Sequence, residues 1–281
     1  MSATIFDERN CGLGEGPFWH PIKQQLFWFD IHAYKLYSRS DDKTFEWDLG
    51  EHASAAGWVD RDTLLIATET GLYRYGLTDY SKMLVVELEA DTPQNRANDG
   101  RADPHGGFWI GTMGKMIEEN AGALYRYYRG ELRKLLQPMT TPNAICFARS
   151  GELAYFTDSH TGMIMQQNLD SEGWPKGDPR AFLDLGKTGV IPDGAVVDAT
   201  GNIWVAQWDA GRVACFTPAG VNVENLDLPV KNTTCPAFGG SGYSTIFITS
   251  AWGPRKGEDD GKTFSIEVDA VGLPECRVDL G

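Results

Sequence analysis

Four residues with acidic or amide side chains recur in one phase of this 281-residue chain, and that phase constrains the fold more than any single motif. Glu15, Asn98, Asn143 and Asp193 each open a short apolar segment, and each stands five residues ahead of a turn. The turns begin at His20-Pro21, Asp103-Pro104, Ala148-Arg149 and Asp198-Ala199. An aromatic, β-rich run follows each: Leu26-Phe27-Trp28-Phe29-Asp30, Phe108-Trp109-Ile110-Gly111-Thr112, Leu153-Ala154-Tyr155-Phe156-Thr157 and Ile203-Trp204-Val205-Ala206. Units of roughly forty to fifty residues built from several short strands are the signature of a β-propeller. Blades of a propeller are radial, so residues at equivalent inner-strand positions meet around the central channel.

Two further units complete the pattern. One reads Ala55-Ala56-Gly57-Trp58-Val59, a turn at Asp60-Arg61-Asp62, then Leu64-Leu65-Ile66-Ala67-Thr68; its hub position falls on Ala55. The other reads Thr234-Cys235-Pro236-Ala237-Phe238, a glycine-rich turn, then Ile246-Phe247-Ile248-Thr249-Ser250. Third strands follow, as in Gly71-Leu72-Tyr73 and Gly122-Ala123-Leu124-Tyr125, and more polar fourth strands, as in Thr44-Phe45-Glu46-Trp47-Asp48. With 32 glycines and 14 prolines spread along the chain and no sustained 3.6-residue apolar period, long helices are disfavoured. The expectation is an all-β, six-bladed propeller with four antiparallel strands per blade, one domain over residues 1–281. Thr4-Ile5-Phe6 is expected to complete the last blade, because an open ring would leave unpaired edges.

The 25 Lys and Arg against 39 Asp and Glu leave a net charge of −14, which argues against nucleic acid and against anionic membranes as partners. The cysteines Cys11, Cys146, Cys215, Cys235 and Cys276 are odd in number and scattered, so neither a zinc ribbon nor a disulfide framework is expected. Residues 1–10 show no secretory signal, and no run approaches the ~20 apolar residues of a membrane span. A soluble, cytoplasmic monomer or weak homo-oligomer is the expectation.

At the hub, two carboxylates and two amides favour a hard cation and an oxygen-rich ligand. Oxygen donors suit Ca²⁺, Mg²⁺ or Mn²⁺ better than a structural zinc. Glu15, Asn143 and Asp193 supply two charges and one neutral carbonyl, which leaves coordination positions for water and substrate. Arg96, inside Asn95-Arg96-Ala97-Asn98-Asp99-Gly100, can hydrogen-bond sugar hydroxyls or a carboxylate. His20, His105 and His160 are placed at turns on the far end of the inner strands, satisfied or solvated. Trp28, Trp109 and Trp204 recur on second strands and read as packing between blades. No G-x-S-x-G elbow appears and Cys146 has no histidine in phase, so a metal-activated water with a carboxylate base is the natural attacking group.

Leu13-Gly14-Glu15-Gly16-Pro17, Asn95-Arg96-Ala97-Asn98-Asp99-Gly100, Gly111-Thr112-Met113, Gly122-Ala123-Leu124-Tyr125, Pro192-Asp193-Gly194 and Phe238-Gly239-Gly240 resemble, in order, the senescence marker protein/gluconolactonase (regucalcin-like) family. That resemblance implies a hydrolase that opens sugar lactones, with one divalent ion (Ca, or Mg, Mn or Zn) at the hub. It implies Glu15, Asn143 and Asp193 as metal ligands, Asp193 as general base, and Arg96 with Asn98 as the substrate-contacting pair. The chain departs from the family after Gly-Thr-Met. Gly114-Lys115-Met116 stand where an acidic sugar-binding residue is expected, and Glu118 and Glu119 come later, on a mobile loop. Lys115 beside Arg96 suggests an anionic lactone. Two alternatives remain open from the residues: a non-enzymatic calcium-binding or scaffold propeller, and an esterase or phosphotriesterase on the same hub.

Overall fold

Six four-stranded antiparallel sheets make up the computed structural model, which describes residues 2–40, 43–253 and 257–281. The sheets are blades in chain order: residues 14–48, 53–87, 95–139, 142–184, 191–227 and 233–267. In the last of these the outermost strand is Thr4–Asp7, paired antiparallel to Thr263–Glu267, so the N-terminal strand closes the ring, as the cost of unpaired edges predicts. Among the described residues one three-residue 3₁₀ turn, Gly186–Thr188, is the sole helix. The glycine and proline density that argued against helices is therefore matched by the fold.

The burial gradient within a blade follows the side chains. Innermost strands such as Gly14–His20 and Thr233–Gly239 are buried at every position, whereas the outermost Lys43–Asp48 and Lys82–Glu87 lie largely in solvent. The core is distributed: six apolar clusters lie one at each junction between neighbouring blades. Trp28, Trp109 and Trp204 each belong to one of them, and Trp204 meets Phe238 of the next blade edge-on at 5.8 Å. With apolar burial satisfied between the sheets, the axis itself needs no hydrophobic filling. Polar side chains can therefore occupy it.

The ends of the channel differ. At the turn end, the C-terminal segment runs across several blades. Val278 N–H donates to Trp58 O at 2.9 Å, Asp279 N–H to Gly106 O at 2.8 Å, and Ala199 N–H to Val271 O at 2.8 Å. The Trp58 indole donates to Glu275 O at 2.8 Å, and Glu275 pairs with Arg101 beneath it. This strap covers the turn end and leaves the opposite mouth, where the inner strands begin, as the approach to the hub.

Candidate active site

One backbone device aims the hub side chains. In every blade the pairing of the first two strands slips register near the start of the inner strand: between Glu15 and Phe18, Ala53 and Ala55, Ala97 and Gly100, Asn143 and Cys146, Pro192 and Ala195, and Thr233 and Pro236. An extra residue in one strand bends it and re-aims the side chain beside it. Gly16 and Ala144, directly after Glu15 and Asn143, take left-handed φ angles of 53° and 55°. For Ala144 that conformation costs roughly 1–2 kcal/mol, strain of the kind that concentrates at functional sites. At Gly16 a Cβ would also lie 2.1 Å from Ser54 O, so no side chain fits there.

Counting four residues back from the equivalent pairs Trp19–Leu26, Trp58–Leu64, Ala102–Phe108, Phe147–Ala154, Val197–Ile203 and Phe238–Ile246 gives Glu15, Ser54, Asn98, Asn143, Asp193 and Thr234. All six are buried and all six carry oxygen. The second blade's hub residue is thus Ser54, not Ala55. Its turn closes one residue earlier, with Val59 N–H bonded to Thr63 O, so counting from Asp60 overshoots by one.

Hydrogen bonds tie these positions together around the axis. Ser54 Oγ donates to Asn98 O at 2.5 Å, and Asn98 Nδ2 donates to Asn143 Oδ1 at 2.9 Å. Asn143 Nδ2 donates to Ser159 Oγ at 2.9 Å, and Ser159 Oγ to Pro192 O at 2.6 Å, which reaches the fifth blade. From the sixth blade, Thr234 Oγ1 donates to Gly14 O at 2.5 Å. Arg96 Nη1 donates to Asn98 Oδ1 and to Ala97 O, both at 2.8 Å. The Asn143 amide is therefore fixed at both ends, and its Oδ1 keeps one lone pair beyond the bond from Asn98.

A cavity of about 300 Å³ brings together Glu15, Arg96, Asn98, Asn143 and Asp193. Ser159, Thr141, His160 and Trp208 complete its polar and aromatic wall, and Leu13, Met113, Ile117 and Ile191 its apolar one. Burial pushes the Glu15 carboxyl up to about 8, and the nearby Asp99 charge adds to the effect. Burial, then Glu15, then Asp99 hold Asp193 far above the usual carboxylate range. Asp99, which accepts from Ile145 N–H at 2.8 Å, is itself raised by burial to about 6. Burial lowers Arg96 to about 10 against the opposing pull of Glu15 and Asp193. Glu15 and Asp193 thus oppose the one Arg96 guanidinium, and Asp99, drawn toward Arg101, adds negative charge beside them, a concentration that a bound cation would relieve. Among the described residues no three His, Cys, Asp or Glu side chains form a metal-ligating cluster; the oxygen set here counts two carboxylates and an amide.

Several expectations change. Lys115 does not reach the inner cavity: its ammonium pairs with Glu69 and donates to Pro93 O at 2.8 Å, so it adds no free positive charge beside Arg96. Glu118 accepts from Met116 N–H at 3.0 Å, and it is Ile117 from this loop that lines the cavity. His20 and His105 are satisfied at the turn end, by Asp60 O and Gly151 O. His160 is not at that end. It follows the second strand Leu153–Asp158, which runs back to the mouth, and its side chain lines the cavity. Asp99, Ser159 and Trp208 were not singled out by the periodic reading; Asp99 stands next to a phased residue, while the other two lie in and near loops that the phase does not index.

The fold and this site define a six-bladed propeller with an oxygen-lined hub open at one end. The chain belongs to the SMP-30/gluconolactonase/LRE-like family, whose model matches residues 13–252. It is 36% identical over 97% of its length, and 95% of the relative's, to a protein of Rhizobium meliloti (strain 1021) that carries the name sugar lactone lactonase. It is 32% identical to a pentonolactonase of Haloferax volcanii, over 100% of this chain and 99% of that one. Among solved structures, a calcium-binding regucalcin of Agrobacterium tumefaciens superposes with a TM-score of 0.95 at 34% identity, covering 98% of this chain and 97% of that one.

Proposed function

We propose that the protein is a sugar lactonase whose active site is the hub cavity. The observation that carries this reading is the convergence of two buried carboxylates, two amides and a guanidinium from four blades on one cavity of ring size. Relatives named as lactonases at 36% and 32% identity support the substrate class.

Glu15, Asn143 and Asp193 would hold a divalent cation, and the all-oxygen donor set suits Ca²⁺, Mg²⁺ or Mn²⁺. Such an ion polarises an ester carbonyl and acidifies water at neutral pH. Asp193 accepts the proton of the attacking water as its oxygen bonds to the lactone carbonyl carbon. The ring C–O bond then breaks, and the ring oxygen leaves as a hydroxyl of the opened acid by taking up the proton that Asp193 accepted, which restores the carboxylate. Arg96, with Nη1 committed to Asn98 Oδ1 and Ala97 O, has its remaining N–H groups available for sugar oxygens. Asn98 links that guanidinium to Asn143, so the binding and ligating halves share one orientation.

The test is lactone opening by the purified chain over a panel of aldonolactones, corrected for spontaneous hydrolysis. Turnover is expected to vanish on exhaustive chelation and return with one of the three cations. Full turnover after verified metal removal would overturn the metal assignment, and no turnover of any lactone would overturn the lactonase.

A further inference from the structure

The inner cavity opens outward into a second one of about 700 Å³, and the two share Leu13, Arg96, Met113, Ile117, Ile191 and Trp208 as common wall. The outer chamber lacks the hub oxygens Glu15, Asn98, Asn143 and Asp193. Ligand pockets span roughly 300–1,000 Å³, so a single-ring lactone is accommodated by the inner cavity alone. The outer volume is surplus to such a substrate.

Its lining is specific in kind. Trp252, 40% exposed, joins Trp208 as a second indole, and His32, Asp209 and Asn232 stand among them. Asn232 is buried and donates through Nδ2 to Trp252 O at 3.2 Å, which leaves its Oδ1 as an acceptor. Asp209 holds a left-handed φ of 60° immediately after the strand that ends at Trp208, which places a carboxylate at the chamber wall. Flat apolar ring faces combined with separate hydrogen-bonding groups match a pyranose, which presents C–H faces and equatorial hydroxyls. Lys115, also on the wall, is already engaged by Glu69.

We propose that the outer chamber is a glycosyl subsite, so that the substrate class is a lactone ring bearing a second sugar, an aldobionolactone. This rests on the lactonase reading of the hub. The lactone ring sits in the inner cavity, and the second sugar packs on Trp252 with hydroxyls toward Asp209 and Asn232. No further chemical step is involved; the subsite binds and orients.

The experiment compares kcat/KM for cellobiono-1,5-lactone and glucono-1,5-lactone in the parent chain, Trp252→Ala and Asp209→Ala. The expected result is about a tenfold preference for the disaccharide lactone in the parent, on the scale of one ring-stacking contact. Either variant should reduce that preference while leaving glucono-1,5-lactone turnover unchanged. Equal kcat/KM for both lactones in the parent, or variants that lower both rates alike, would overturn the subsite. Calorimetric titration with cellobionic and gluconic acids reads the chamber without turnover. If neither lactone is opened, tighter Trp252-dependent binding of cellobionic acid still supports the subsite, whereas equal or absent binding of the two acids rejects it. The hub reading and the subsite thus fail by separate readouts.

Discussion

Replacing Glu15 by glutamine should make the metal-free protein more stable while destroying its activity, and the pH dependence of that gain is the informative part. Glu15 is buried, accepts one hydrogen bond, from Gly16 N–H at 2.9 Å, and faces the Asp99 charge. Its carboxyl rises from 4.5 to about 8. For a carboxylate raised by folding, stability is lost as pH climbs from the unfolded value through the folded one, because the unfolded chain ionises first. At about 1.4 kcal/mol per unit, the penalty is roughly 1 kcal/mol at pH 5 and about 3 kcal/mol at pH 7. A chain of 281 residues has an unfolding entropy near 0.6 kcal/mol per degree, so removing the penalty should raise Tm by about 1–2 °C at pH 5 and about 5 °C at pH 7. Glutamine retains an acceptor for Gly16 N–H, so the change isolates the charge. The assay is circular-dichroism melting in excess chelator at both pH values, with lactone turnover measured in parallel. Saturating divalent cation should then raise the parent's Tm by more than the variant's, since binding stabilises in proportion to affinity. A Tm gain equal at pH 5 and pH 7, or a parent more stable than the variant in chelator, would refute the electrostatic account of the hub.

Other changes separate the roles of neighbouring residues. Asp193→Asn keeps an oxygen that can coordinate but no base, so kcat at saturating metal should fall about 10²–10⁴-fold, while Asn143→Ala should be substantially rescued by added metal. Equal rescue of both would make Asp193 a ligand only. Gly16→Ala should destabilise by about 2–3 kcal/mol in urea unfolding, because its Cβ would lie 2.1 Å from Ser54 O at a left-handed φ of 53°. Lys115→Ala should leave the ratio of anionic to neutral lactone turnover unchanged, since Glu69 already holds that ammonium; a shift in the ratio would return Lys115 to the substrate.

The blade count, the strand order within blades and the ring closure by the N-terminal strand were legible in the chain because they follow from local pattern. Turn residues recur at fixed spacing, and an aromatic, β-branched run has one inexpensive conformation on a two-sided buried strand. The phase of Glu15, Asn98, Asn143 and Asp193 was legible for the same reason, as spacing to the next turn reports position along the inner strand. Ser54 escaped because its turn closes one residue early, and a single-residue difference moves the count to Ala55 without leaving a trace in composition. His160 and Trp208 lie at the mouth because the second strand runs back to it, a consequence of chain direction that spacing along the inner strand does not register. Contacts across blades were invisible in principle. The pairing of Lys115 with Glu69 and the approach of Asp99 to Glu15 and Asp193 join residues that only the ring brings together. Sequence alone thus determined four of the six hub positions, Glu15, Asn98, Asn143 and Asp193, since those follow from local periodicity. The charge each carries there, and which partner quenches it, was decided by the tertiary structure, because Coulomb energy and desolvation depend on distance through space and not along the chain.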